Sequence, residues 1–398
     1  RYSTRLRITD SLRKQPTWDS VEINWSQAEP PFASLTEDLN QITRAIEEIE
    51  REDLEQIKAS FVATTRRLTE AYFQLRNFIV EPGENYIYWL ESRKKRSRRS
   101  RSQVSVNAVP LRVGPLVREH LFEKKHAVVL TSATLQTGGS FDYLRDRLDA
   151  WGAKALSVGS PFDYKSAALL YIVNDIPQPG THGHQKTVEQ TLISLFKATE
   201  GRALALFTSY SQLQTTARAI TSPLGQENIT VHAQGDGSSR AQLLENFREG
   251  ERTVLLGTRS FWEGVDVPGE ALSCLVIVKL PFDVPSDPIV AARSEDYEDS
   301  FNEYMVPEAI LRFLQGFGRL IRTREDRGIV VVLDSRLKTK RYGQRFLNSL
   351  PDPLLKMGRR SMLPEIAARW LAGEPLPDEP LINEREPWSV PPPEEPPW

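Results

Sequence analysis

Residues 253–269, TVLLGTRSFWEGVDVPG, decide the fold class. The stretch opens with a short apolar run, 253–256, and breaks at Gly257 into a loop that crowds Phe261, Trp262, Glu263 and Asp266 among glycines. A short apolar run bounded by a glycine turn suits a strand buried on both faces. Similar runs recur at 203–207, 229–232, 273–280 and 328–333, separated by helical segments such as 212–220 and 240–248. Strands spaced by helices predict a mostly parallel, doubly wound α/β sheet covered on both faces, assigned to residues 165–350. In such sheets ligands sit beyond the carboxyl ends of the strands, so the loops after these runs are where chemistry is expected.

The flanks follow other patterns. Residues 1–36 hold two tryptophans and several prolines without a sustained repeat, and read as strand or irregular structure. From Thr36 an apolar stripe runs through Leu39, Ile42, Ile46 and Ile49, slips phase, and continues through Leu54, Ile57, Phe61, Leu68, Tyr72, Leu75 and Ile79. This spacing predicts a long amphipathic helix or a helical hairpin, stopped by Pro82 and Gly83. Such a stripe serves either as a lever or clamp, or simply as a face packed on a neighbouring helix. Residues 85–90, NYIYWL, predict a strand, and 127–130, AVVL, a buried strand leading into TSATL at 131–135. Residues 363–371 predict a last helix, and 373–398 are too rich in proline and acid to build a core.

With 398 residues and 39% hydrophobic content, the chain is long enough for two packed domains. The formal net charge of -2 hides a basic run, SRKKRSRRSR at 92–101, which suits either a polyanion or a solvated, self-repelling loop. Cys274 is the single cysteine, so this chain holds no internal disulfide and no cysteine-ligated zinc or iron–sulfur cluster. Its apolar surroundings predict a buried side chain. No apolar run reaches the length of a membrane span. The chain opens on Arg1, so an N-terminal signal is not legible, and a cytoplasmic protein is expected from cysteine usage and function.

Three segments concentrate polar chemistry. After 203–207 come Thr208, Ser209 and Tyr210, hydroxyls that either cap the next helix or bind an anion such as a nucleic-acid phosphate. After 253–256, the carboxylates of the crowded loop can orient a ribose, a water or a partner arginine, while its aromatics stack or pack. The third segment, QGFGRLIRT at 315–323, lies at the end of a helix expected over 307–321. On that helix Arg319 and Arg322 share one face, beside glycines that allow another surface to approach. A guanidinium fork suits a triphosphate because it stays charged and donates two hydrogen bonds at once, although helix surfaces also carry idle pairs of this spacing.

Taken in order, these segments resemble the motor motifs of the DinG/XPD family of superfamily 2 DNA helicases, closer to DinG in wording. TSATL is similar to motif III, LFTSYSQL at 206–213 to motif IV, GTRSFWEGVDVPG at 257–269 to motif V, and QGFGRLIRT to motif VI. VKLPF at 278–282 and VVVLDSR at 330–336 fit the same family, so the likeness runs over residues 85–351. The resemblance implies a RecA-like second motor domain at 165–372, an Arch-like helical insertion at 1–84, the last strands of a first RecA-like domain at 85–164, and a Pro-rich acidic tail at 373–398. It also implies an ATP cleft between two motor domains and 5′ to 3′ movement along single-stranded DNA. Carried over by motif, Arg319 and Arg322 would reach the γ-phosphate, Gln315 would support the nucleotide, and Glu263, Gly264 and Asp266 would link nucleotide to DNA. Thr208, Ser209, Gln234 and Ser260 would hold DNA phosphates, Trp262 or Phe282 would stack on a base or pack in the core, and Ser132 and Thr134 would relay between domains.

Two family elements have no counterpart here. There is no Gly-Lys dipeptide and hence no Walker-type phosphate loop, and the only Asp-Glu pair, Asp378-Glu379, follows motif VI. Both elements precede motif III in the family. The half that binds ATP and Mg²⁺ is therefore expected upstream of Arg1, in a first motor domain that acts as partner, with no metal site in this chain. The chain alone is expected to be inactive. A non-catalytic nucleic-acid-binding or regulatory protein that kept one motor domain is the competing expectation, and a CRISPR-associated helicase of the same family is a narrower one.

Overall fold

The computed structural model describes residues 3–49, 51–93, 103–262 and 271–377. Most of the basic run, the loop residues Glu263, Gly264 and Asp266, and the tail beyond Pro377 lie outside the described residues. The chain divides into two compact units, Arg1–Leu116 with Val284–Asp296, and Val117–Asp283 with Tyr297–Trp398.

The first unit starts with β1 (Ser3–Ile8), leaves it through α1 (Pro16–Glu47), returns along α2 (Glu55–Ile79) and closes with β2 (Tyr86–Arg93) and β3 (Gln103–Pro110). The strands are antiparallel in the order β1-β2-β3, with Ile8 opposite Tyr88 and Leu90 opposite Val106. Alternation gives β2 two working faces. Tyr88 packs with Ile8, Trp18 and Phe78, while Ile87 and Trp89 pack with Ala292 of the short helix Pro288–Ser294. The Arg13 guanidinium lies 4.9 Å from the Trp18 ring centroid and donates to the Ile79 carbonyl at 3.0 Å, closing the base of the hairpin.

The expected hairpin is present, but α1 begins at Pro16 rather than Thr36. Proline at the first helical turn lacks only a donor that would have had no helical partner. Pro30 and Pro31 sit inside the helix, where each removes a backbone donor and masks the apolar period. Trp18 and Trp25, buried one heptad apart, hold the early turns down.

The unit also runs through the boundary expected at residue 84, because β2 pairs antiparallel on both sides instead of joining a parallel sheet. Residues 127–130 form no strand; Val129 is 86% exposed and Leu130 44%. A strand needs a neighbour to take its backbone hydrogen bonds, and none among the described residues runs beside this segment.

The second unit holds seven strands: β4 (Ala168–Val173), β5 (Ala203–Leu206), β6 (Thr230–Ala233), β7 (Thr253–Gly257), β8 (Cys274–Ile277), β9 (Gly328–Val332) and β10 (Leu354–Gly358). They form one parallel sheet in the order β10-β4-β9-β8-β5-β7-β6. Its helices include α3 (His184–Ala198), α4 (Tyr210–Gly225), α5 (Arg240–Glu249), α6 (Arg259–Trp262), α7 (Val306–Phe317), α8 (Arg341–Asn348) and α9 (Leu363–Ala372). Strand alternation splits the core in two. Leu170, Leu204, Leu255 and Val330 meet Phe313 and Phe346 on one face, and Leu169, Val254, Val276 and Val331 meet Leu192, Ile220 and Trp370 on the other.

The doubly wound sheet expected from the sequence is therefore present. Cys274 is fully buried in β8, and burial pushes its thiol pKa up. Among the described residues no helix is long and apolar enough to cross a membrane.

Candidate nucleotide and nucleic-acid site

The loops beyond β6 and β7 meet around one amide. The Gln234 Oε1 accepts from the Thr258 backbone N–H at 2.8 Å and from its hydroxyl at 2.7 Å, while Nε2 donates to Ser260 Oγ at 3.2 Å. Its own carbonyl accepts from Gln214 Nε2 at 2.8 Å. The next residue, Gly235, has φ +94°, so glycine is favoured by the backbone, and a Cβ there would also have to displace the Tyr210 hydroxyl. Gln234 is thus committed to holding the β6 and β7 loops together. Ser260 is exposed beside it.

Ser209 caps α4, its Oγ accepting from the Gln212 N–H at 3.4 Å and lying 3.0 Å from Ser211 Oγ. The capping half of the sequence alternative is present, and the serine pair together with half-buried Thr208 lines the helix start. Ser132 and Thr134 are brought together, with the Thr134 N–H donating to Ser132 Oγ at 3.2 Å, on a segment without regular structure.

Trp262 takes the packing side of its two alternatives. Its side chain is 2% exposed and donates weakly to the Phe207 carbonyl at 3.5 Å. A Cβ on Gly316 would stand 3.0 Å from the ring. Buried between the end of β5 and α7, the indole has no face to offer a base; its bulk is core. Phe282 also packs, stacked on Phe301 at 5.7 Å and edge-on to Tyr342 at 5.3 Å.

The arginine pair is organised differently from the expected helix face. α7 ends at Phe317, and the Gly318 N–H donates to the Leu314 carbonyl at 2.8 Å, so Arg319 and Arg322 lie beyond the helix. Two glycines at 316 and 318 lower the helical propensity of this stretch, and the helix ends between them. Main-chain carbonyls now steer the side chains: Arg319 Nε donates to Gln315 O at 3.1 Å and Arg322 Nε to Arg319 O at 3.4 Å. The Asp326 carboxylate accepts from the backbone N–H groups of Arg322 and Thr323 at 2.7 and 2.8 Å, fixing the turn. Burial, with Arg248 nearby, lowers the Arg322 pKa, and Asp326 opposes that shift. The Gln315 Oε1 is buried with no hydrogen-bond partner.

A buried pair that sequence did not single out stands beyond β9. Asp334 is 0% and Arg336 5% exposed. Asp334 accepts from Arg336 Nε and Nη2 at 2.9 and 2.7 Å and from the Leu280 N–H at 2.8 Å, tying the ends of β8 and β9 together. VVVLDSR contained both residues, but only the fold shows them paired. Among the described residues no cluster of His, Cys, Asp or Glu could hold a metal ion.

A family model described as helicase C-terminal domain matches residues 192–353. The chain is 36% identical over 271 residues to the ATP-dependent DNA helicase YoaA of Haemophilus influenzae, a match covering 67% of this chain and 41% of the relative. It is 38% identical over 282 residues to the ATP-dependent helicase DinG of Mycobacterium tuberculosis H37Rv, covering 68% and 41%. It is 34% identical over 273 residues to the protein named 3′-5′ exonuclease DinG of Bacillus subtilis, covering 66% and 29%. The chain thus spans less than half the length of each of these relatives. A solved XPD helicase matches with a TM-score of 0.51 at 16% identity, over 78% of this chain and 56% of that one, a likeness of fold. The chain is thus similar in sequence to DinG-type helicases, carries a helicase C-terminal domain over residues 192–353, and is similar in fold to an XPD helicase.

Proposed function

We propose that the chain supplies the second motor domain of a DinG-type, ATP-dependent DNA helicase moving 5′ to 3′ on single-stranded DNA. The observation that carries this reading is the segment beyond α7. Two guanidinium groups are steered by carbonyls at one helix end, beside a buried Gln315 amide oxygen with no protein donor. Such a site suits a polyphosphate: the arginines donate to phosphoryl oxygens and Gln315 accepts from a nucleotide donor. Arg319 and Arg322 act as fingers on the γ-phosphate. Thr208, Ser209 and Ser260 hold DNA phosphates, with Gln234 fixing the two loops that present them. Glu263, Gly264 and Asp266 link the two ligands, and Ser132 and Thr134 relay toward the first motor domain of the same protein.

ATP, once bound, supplies the phosphoryl group whose transfer to water drives the cycle. Among the described residues the groups of this site are guanidinium, hydroxyl and amide, which fit anions, and we assign the metal to the first motor domain. The chain alone therefore hydrolyses no ATP.

The test is Arg322→Ala in the complete protein. DNA-stimulated turnover should fall about a thousand-fold, because a finger acts on transition-state charge, while ATP affinity stays nearly unchanged. Normal turnover in the variant would overturn the assignment.

A further inference from the structure

The Asp283 carboxylate, in the loop after β8, receives two guanidinium groups. Arg259 Nη1 of α6 approaches Oδ1 at 3.1 Å, and Arg312 Nη2 of α7 approaches Oδ2 at 2.5 Å. Arg312 also donates to the Pro281 carbonyl at 3.2 Å and to Glu308 at 3.3 Å. Glu308 in turn accepts from the Tyr143 hydroxyl at 2.6 Å. Burial first, then the Glu308 charge, raises the Tyr143 pKa well above its usual value, so the phenol stays a donor. One run of polar contacts therefore leads from Arg259, at the head of the loop after β7, to the helix that ends in the arginine segment. It continues to Tyr143 on the short helix Asp142–Leu148, downstream of TSATL.

The two ends of the run differ in strength. Arg312 and Asp283 are 11% and 13% exposed, and Arg312 has three acceptors. Arg259 is 72% exposed. A buried, hydrogen-bonded pair resists exchange, whereas an exposed pair is worth little and is readily traded for another anion.

We propose that Asp283 is a positioning residue that holds Arg312 fixed while lending Arg259 to an arriving DNA phosphate, so that DNA in the β7 loop is felt at α7. The inference rests on the motor reading above. A backbone phosphate matches the arginine fork as well as a carboxylate does. When Arg259 turns to it, Asp283 is left to Arg312 alone, and the division of Arg312 between Asp283 and Glu308 changes.

The experiment uses the complete protein, a labelled oligo-dT and a turnover assay with and without saturating DNA. In Asp283→Asn, the ratio of stimulated to unstimulated turnover should fall about five-fold or more. Oligo-dT affinity should hold or tighten, since a negative charge competing for Arg259 is gone. Tighter binding with weaker stimulation is not a signature of misfolding, which loses both. Arg259→Gln should reproduce the lost stimulation, and the double variant should be no worse than either single one. A wild-type stimulation ratio in Asp283→Asn, additive losses in the double variant, or parallel loss of affinity and stimulation would each overturn the proposal. If the unmodified protein shows no DNA-stimulated turnover, the motor reading fails first and takes this inference with it.

Discussion

Replacing Trp262 with alanine separates a core side chain from a base-stacking one. The indole is 2% exposed and lies against Gly316, where Leu206 also approaches. Its removal deletes the largest buried side chain at the junction of α6, α7 and β5, and the tight glycine contact leaves little room for collapse. Large-to-small aromatic changes in such places cost about 3–5 kcal/mol; the long 3.5 Å hydrogen bond to Phe207 adds little. Urea unfolding followed by far-ultraviolet circular dichroism should show that loss in Trp262→Ala and a smaller one in Trp262→Phe, which keeps much of the ring volume. Oligo-dT affinity of Trp262→Phe should stay near wild type. A stacking tryptophan behaves in the opposite way, with alanine costing about 1–3 kcal/mol of binding and little stability. Weakened DNA binding with an unchanged unfolding midpoint would refute the core assignment.

Two further outcomes concern the sheet's carboxyl edge. Asp334→Ala leaves Arg336 buried without its carboxylate and should cost about 3–5 kcal/mol in chemical unfolding; replacing Arg336 with methionine in the same chain should recover part of the loss. His184 is 4% exposed, its Nε2 has no partner, and burial holds its pKa below the usual value, with Asp334 opposing. The folded state therefore stays neutral while the unfolded chain gains a proton. Stability is full above about pH 6.5 and declines as pH falls below it, by at most about 1.4 kcal/mol per unit. Between about pH 7.5 and 5.5, the fall in unfolding free energy should be smaller in His184→Gln than in wild type; equal falls would rule out this origin.

The parallel sheet was legible because strands buried on both faces read as continuous apolar runs: β5, β7, β8 and β9 are each buried along their whole length. β10 was not, since Lys356 interrupts it and its amine donates to the Pro377 carbonyl. β4 carries the same signal as its neighbours, six consecutive buried residues, and was recoverable from the pattern.

At the site, residue types were readable but geometry was not. The helical spacing of Arg319 and Arg322 suggested a shared face, yet the helix ends between Gly316 and Gly318, before either arginine. Gln234 resembled a phosphate contact, and nothing in the sequence signalled that its amide also binds Thr258 and Ser260. Asp283 has its partners on other elements, so its neighbours in sequence gave no hint of them, and Asp334 pairs with nearby Arg336 but is also tied to Leu280, a contact only the fold creates. The early start of α1 was hidden because prolines inside a helix erase the pattern that would announce it.

The segment Val284–Asp296 is covalently part of the stretch between β8 and α7, yet its Ile289 and Ala292 lie in the small core under β2. The backbone thus passes from one unit to the other three times. No single cut can release either unit whole: severing the chain after Leu116 would strip Ile87 and Trp89 of the helix that covers them and leave that helix presenting bare apolar side chains to water. Trimming such a protein for study requires excising and rejoining two stretches, and any insertion tolerated between β8 and α7 must first preserve a contact belonging to another part of the sequence.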